Sequence, residues 1–316
     1  MSLKHSRSAQ YTVYLAVRFL VCVLQMLPLS WAAKLAEGLA WLAYRVDRRH
    51  RLVAIENLRQ AFPERCADDE ECQALVRAVY RHFCLMIVEI LHLPRQVHPN
   101  NWRRFFTMRG GDVMIDSMLA GRPMLFVTAH FGNWEIGGYM LGLLGFTSSA
   151  IARPLDNPYL DRYFGQFRQR NGQRILAKKG DYDQIQQVLR QGGVLATLGD
   201  QDAGQRGLFV NFFGRPASTH KAIALLAIEH KVPLVVVAAI RTGGLLQYEI
   251  VIEDVIEPED FTDRPNAVRV ITERFTDALE RLVRAAPEQY LWLHRRWKHQ
   301  PARQHKQGTR PKVPSA

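Results

Sequence analysis

Gly-Arg-Pro-Met-Leu-Phe-Val-Thr-Ala-His-Phe-Gly-Asn-Trp-Glu, residues 121–135, decides how this chain is read. Gly121 punctuates its start, and 123–129 is a short apolar run bounded by turn residues. Such a run reads as a strand buried on both faces, as in a parallel sheet. Gly132 and Asn133 then break the strand pattern. Asn133 has the side chain of an N-cap, so a helix is expected from about 133 to 144. His130 therefore falls at the carboxyl end of a buried strand, where open α/β sheets gather their functional groups.

Working outward, the same alternation recurs. Strands are expected at 148–153, 194–198, 233–240 and 248–252, with helices at 158–171, 181–191, 220–230 and 266–285. Strands alternating with helices predict an α/β fold with a mostly parallel central sheet flanked by helices. Upstream, helices are expected at 48–60 and 68–93. The second has Leu75, Val79, Phe83, Met86, Ile87 and Ile90 on one face, acidic residues in its first turn, and Pro94 at its end. Residues 99–109 read as a connector, followed by a short helix to Ala120.

The N-terminus is different. Residues 11–29 are almost continuously apolar and follow Lys4 and Arg7. The run is marginally long enough to span a bilayer, but Arg18 in its middle is costly in hydrocarbon. A cleaved signal peptide, a buried core helix and a membrane anchor all fit the residues, and the anchor is preferred. The following segment, 31–46, carries Trp31, Trp41 and Tyr44, which suits a headgroup layer, and leads into Arg45, Arg48, Arg49 and Arg51, which fit either lipid phosphates or a solvated helix face. We divide the chain into an N-terminal membrane-anchoring helical segment at 1–47, an α/β domain at 48–300, and a basic, disordered tail at 301–316.

With 42 Lys and Arg against 30 Asp and Glu, the formal charge is +12, so anionic partners are favoured. Nucleic acid is set aside, because no zinc-finger spacing, ribonucleoprotein motif or basic heptad region occurs. Cys22, Cys66, Cys72 and Cys84 match neither a metal ribbon nor a redox pair and read as reduced thiols, which suits a cytosolic face.

By residue type, His130 and Glu135 are either a structural histidine and a carboxylate complementing a helix dipole, or a base and its orienting partner. In the second reading Glu135 folds back onto one ring nitrogen and leaves the other as a general base. No G-x-S-x-G elbow or nearby cysteine supplies a nucleophile, so a substrate hydroxyl would have to do so. No HExxH or comparable cluster suggests a metal.

At this point the chain resembles the lipid A biosynthesis (lauroyl/myristoyl) acyltransferases, a branch of the glycerolipid acyltransferase superfamily with its H-x-x-x-x-[D/E] motif. The resemblance covers roughly residues 11–300. It rests on the block 128–135, Ala-Arg-Pro-Leu-Asp-Asn-Pro at 152–158, Arg168, and Gly-Asp-Gln-Asp at 199–202. Phe-Phe-Gly-Arg-Pro-Ala at 212–217 and Gln-Tyr-Leu-Trp-Leu-His-Arg-Arg-Trp-Lys at 289–298 complete it, all in the family's order. The broader superfamily usually has Asp where this chain has Glu135, and the lipid A branch accepts Glu.

The resemblance implies an O-acyltransferase that needs no cofactor. It would move a fatty acyl chain from an acyl-carrier-protein thioester to a hydroxyl of a lipid A precursor, at the cytoplasmic face of a bacterial inner membrane. His130 would be the base and Glu135 its orienting carboxylate. Another membrane glycolipid or phospholipid acceptor, an acyl-CoA donor, or a non-catalytic lipid-binding role are the alternatives. Backbone amides near 132–134 are candidate oxyanion donors. Arg153 could bind acceptor phosphate or pair with Asp156, and Asp200 and Asp202 could orient arginines or sugar hydroxyls. Arg295, Arg296 and Lys298, interleaved with Trp292 and Trp297, could meet phosphates or the acidic carrier protein, or form a solvated basic edge.

Overall fold

The computed structural model describes residues 6–301, apart from 171, 178, 179 and 262; the basic tail lies outside the described residues. Four helices come first: α1 (Arg7–Met26), α2 (Leu29–Val46), α3 (Arg48–Ala61) and α4 (Asp69–Gln96). The rest alternates: β1 (Phe106–Arg109), α5 (Asp112–Leu119), β2 (Met124–Thr128), α6 (Trp134–Leu143), β3 (Ser148–Ala152), α7 (Pro158–Arg170), β4 (Gln173–Ala177), α8 (Tyr182–Arg190) and β5 (Val194–Leu198). A hairpin of β6 (Leu208–Phe212) and β7 (Arg215–Thr219) precedes α9 (Ala222–His230), β8 (Leu234–Arg241), β9 (Tyr248–Ile256) and α10 (Ala267–Ala285).

The α/β expectation holds. Seven strands form one sheet in the order β1-β9-β8-β2-β5-β3-β4, and only the β8–β9 pairing within it is antiparallel. Strand β2 lies at the centre, with Leu125 level with Leu195 of β5 and Leu234 of β8. That central position is why its sequence is apolar on both faces. Leu125 and Val127 face a core closed by α10, which buries Ile271, Phe275, Leu279 and Val283. Met124 and Phe126 face Met114 and Met118 of α5 and Leu141 of α6. Each fully buried side chain of this size contributes about 1.5–3 kcal/mol.

Four strands escaped the sequence pattern. The connector expected at 99–109 contains β1, a four-residue strand that pairs with β9 and alternates Thr and Arg with Phe and Met. Strand β4 occupies the opposite edge of the sheet and is only partly buried. The β6–β7 hairpin carries Pro216 inside a strand and turns through Phe213 and Gly214, both with positive φ. The Phe213 amide donates to Glu280 at 2.5 Å, which secures that turn. Pro94 does not end its helix. It removes one backbone bond in the last turn, and α4 runs on to Gln96.

Candidate active site

Strands β2, β5 and β3 run parallel, so their carboxyl ends bring His130, Asp200 and Arg153 to one edge of the sheet. His130 is held first by its backbone. Its amide donates to Asp200 Oδ2 at 3.0 Å, and its carbonyl accepts from the Leu291 amide at 2.9 Å. The next residues, Phe131 and Tyr290, form an antiparallel bridge. Gly132 turns the chain into α6 with φ +59°, and a Cβ there would lie 1.9 Å from the Ala239 carbonyl oxygen. Only glycine suits that corner.

Asn133 caps α6 and is fully buried, its carboxamide oxygen accepting from the Ile136 amide. Beneath it Tyr248, Glu89 and Arg241 form a buried network. Glu89 accepts from the Tyr248 hydroxyl, from Arg241 and, at 2.7 Å, from the Leu246 amide. His82 of α4 donates Nε2–H to the Gly132 carbonyl at 3.0 Å. Burial and the nearby Arg241 charge lower its pKa to about 4, so the ring stays neutral.

From the sequence, Glu135 is the expected partner of His130. The structure instead places Asp200 on His130 Nδ1, at 2.9 Å. Glu135, in the first turn of α6, receives Nε and a terminal nitrogen of Arg168 on α7, at 3.0 and 2.5 Å. The cause is register: the first turn of α6 directs Glu135 towards α7, while the loop after β5 delivers Asp200 beneath the imidazole. Burial pushes the Asp200 carboxyl up, but the charge of His130 and its two hydrogen bonds, with His294, outweigh it and hold the group below the usual carboxylate range. It is therefore a carboxylate at neutral pH, and Nδ1 of His130 is the donor. The second ring nitrogen, Nε2, is left as the proton acceptor.

Two rings meet the imidazole edge to face: Trp134 at 5.2 Å and His294 at 4.8 Å between centroids. His294 lies within the 289–298 block, and nothing in the sequence around it places it against His130. Burial first, then the neighbouring His130, lowers its pKa, against the opposing pull of Asp200. Asn57 of α3 fixes this segment by donating to the carbonyls of Trp292 and His294 at 2.8 and 2.7 Å.

The other expected residues scatter. Asp202 pairs with His299 at 2.6 Å rather than with the His130 cluster. Arg153 is paired with Asp156 at 2.6 Å, both almost fully exposed, although Arg153 also lies on the rim of the cavity described below. Arg296 is buried and donates to the Ser218 carbonyl and the Thr219 hydroxyl, so it braces the hairpin instead of meeting a phosphate. Arg295 and Lys298 remain exposed. Two of the candidate oxyanion amides are also taken: Gly132 donates to the Gln289 carbonyl and Asn133 to that of Ala239. The amides of Trp134 and Glu135, in the first turn of α6, have no acceptor among the described residues.

Two apolar spaces flank the site on opposite faces of the sheet. His130 lines a cavity of ≈ 730 Å³ walled by Leu125, Ile151, Ile185, Leu198, Ile223 and Leu226, with Gln201 and His220 among its polar groups. That volume suits a sizeable ligand. On the other face a narrow slot of ≈ 80 Å³ starts at Trp134 and runs along α6 past Gly137, Met140 and Leu141 to Leu144, with Met108 and Met114 opposite.

The sequence profile described as "Bacterial lipid A biosynthesis acyltransferase" matches residues 2–299. The chain is 26% identical over 297 residues to the lipid A biosynthesis lauroyltransferase of Escherichia coli K12, covering 92% of each. It is 25% identical over 256 residues to that organism's lipid A biosynthesis palmitoleoyltransferase, covering 80% of each. Among solved structures it matches the 1-acyl-sn-glycerophosphate acyltransferase PlsC of Thermotoga maritima with a TM-score of 0.37 at 14% identity. That match covers 79% of this chain and 97% of the other.

Proposed function

The chain belongs to the bacterial lipid A biosynthesis acyltransferase family and is an acyltransferase; from that premise we propose that it esterifies a hydroxyl of a lipid A precursor with a fatty acyl group delivered as an acyl-carrier-protein thioester. The observation that carries the mechanism is the Asp200–His130 pair at the wall of an apolar cavity. Asp200 fixes the ring with its proton on Nδ1, and Nε2 takes the proton of the acceptor hydroxyl as its oxygen attacks the thioester carbonyl. The tetrahedral intermediate carries an oxyanion. Its collapse expels the carrier's thiolate, which recovers the proton from the imidazolium, so ester and free thiol leave and the base is regenerated.

Negative charge developing on the carbonyl oxygen needs donors already in place. The free Trp134 and Glu135 amides of α6 supply two, and the Arg168 guanidinium, held by Glu135, supplies positive charge beside the same helix turn. Glu135 thereby acts on the site through Arg168 rather than through His130. We place the acyl chain in the slot beneath α6, which begins at Trp134 against the His130 ring and is almost wholly apolar; at ≈ 80 Å³ it must widen along α6 to take a full fatty chain. The larger cavity takes the acceptor, with Arg153 at its rim.

The exposed Arg295 and Lys298 offer the acidic carrier protein a basic edge. This assignment puts the catalytic domain on the cytoplasmic face of the inner membrane, where a carrier-bound donor is made. The test is to incubate the purified chain with acyl carrier protein loaded with a fatty acid and a lipid A precursor carrying free hydroxyls. A product heavier by one acyl group supports the reading, and intact thioester with unchanged acceptor sinks it.

A further inference from the structure

We propose that α1 lies in the plane of one membrane leaflet, beside α2, and does not cross the bilayer. The proposal deepens the functional reading by specifying how the protein meets its lipid phase. Of the described helices, α1 alone is long and apolar enough to span. Its contacts, however, fasten it to the catalytic domain from end to end. Near its start, the Gln10 carbonyl accepts from the Asn157 side chain at 2.8 Å, and Tyr11 and Tyr14 pack on Tyr159 of α7. In its middle, Arg18 stacks over Tyr14 and Tyr163, with the guanidinium carbon 5.8 and 5.9 Å from the ring centroids. Towards its end, Val21 and Leu24 bury against Leu91 of α4, and the Gln25 side chain donates to the Leu91 carbonyl at 3.0 Å.

A spanning α1 would carry these partners into hydrocarbon with it. Helix α7 contains Asp161, Arg162 and Arg168, and α4 ends in Arg95, so neither can follow. Arg18 would also lie near the bilayer midplane, at a cost of about 2.5–3.5 kcal/mol. In the plane it stays exposed at the side of the helix, over the rings of Tyr14 and Tyr163, within reach of the headgroup layer.

The face of α1 turned away from the domain is apolar: Leu15, Leu20, Phe19 at 73% exposure and Met26 at 82%. It continues onto α2 through Trp31, Leu35, Leu39, Trp41, Leu42 and Val46, all exposed. Arg45 stacks on Trp41 at 4.6 Å, and Arg48 and Arg49 extend a cationic border. Exposed aliphatic residues edged by aromatic and arginine side chains match one leaflet of an anionic membrane, apolar side to the acyl layer and arginines to the phosphates. The same arrangement sets the loop carrying Arg153 beside that leaflet, since Asn157 anchors it to α1.

Two measurements on the full chain test this, and neither depends on acyl transfer, so the catalytic reading can fail without it. Epitope tags at the two termini, probed by protease in right-side-out and inverted membrane vesicles, should be cleaved from the same side. Cleavage from opposite sides would overturn the proposal. In phosphatidylglycerol/phosphatidylethanolamine vesicles, fluorophores on Val13→Cys and Met26→Cys, made in a Cys22→Ser background, should be quenched by lipid-borne quenchers at depths that differ by less than a helix diameter, about 10 Å. A spanning helix would separate them by about 20 Å in depth. That separation, or no lipid quenching at either site, counts against an in-plane helix.

Discussion

Asp200 grips His130 twice, accepting from ring Nδ1 at 2.9 Å with one oxygen and from the backbone amide at 3.0 Å with the other. One carboxylate thus sets both the position of the residue and the tautomer of its ring. Asp200→Asn should lower kcat by about 10²–10⁴-fold with little change in KM, approaching the loss in His130→Ala. Steady-state kinetics decide it, and near-normal kcat in Asp200→Asn would show that another group orients the imidazole.

Glu135 and Arg168 form a second unit. If Glu135 acts by holding the guanidinium, Glu135→Gln and Arg168→Gln should each reduce kcat/KM by about 10²–10³-fold, and the double variant should be little worse than the poorer single one. A double-mutant cycle reads this directly. Multiplying losses would place the two residues in separate roles.

Gly137 faces the slot under α6, and a Cβ added there meets no atom within 4 Å. Gly137→Val should therefore fold normally and shorten the slot. Presented with a mixture of carrier-bound acyl chains, the variant should select shorter ones than the parent, measured by mass spectrometry of the product. An unchanged chain profile would remove the acyl chain from this slot.

His82 makes the active-site floor sensitive to acid. Its folded-state pKa of about 4 lies below the ordinary 6.5, so the unfolded chain binds the proton more readily. Stability is then complete above pH 6.5 and falls as the pH drops towards 4, by about 2 kcal/mol between pH 6.5 and 5. Asp200 behaves differently. Its depressed pKa contributes stability present above about 3.8 and lost only at lower pH. Urea unfolding of the parent should show the decline between pH 6.5 and 5, and His82→Gln should flatten it. An equal slope in both would assign the acid sensitivity elsewhere.

Much of the fold was legible because β2, β8 and the start of β5 are buried on both faces and their apolar runs are bounded by turn residues. Edge strands β1 and β4 lack that pressure, and Pro216 disguised β7 as a loop. His130 could be singled out from its place after β2. Its partner could not, because short sequence separation favoured Glu135, whereas the side chain that meets Nδ1 comes from 70 residues away across a parallel β2–β5 pairing. His294 and Asn57 converge on the site through tertiary packing that no local pattern encodes.

The most direct measurement of the account is a mass-spectrometric assay of the purified chain with an acyl-carrier-protein thioester and a lipid A precursor, run beside His130→Ala and Asp200→Ala. The parent should add one ester-linked acyl chain and release carrier thiol stoichiometrically, and the two variants should do neither, while their far-ultraviolet circular dichroism matches the parent's. Full acyl transfer by either variant, or no transfer by the parent, would contradict it.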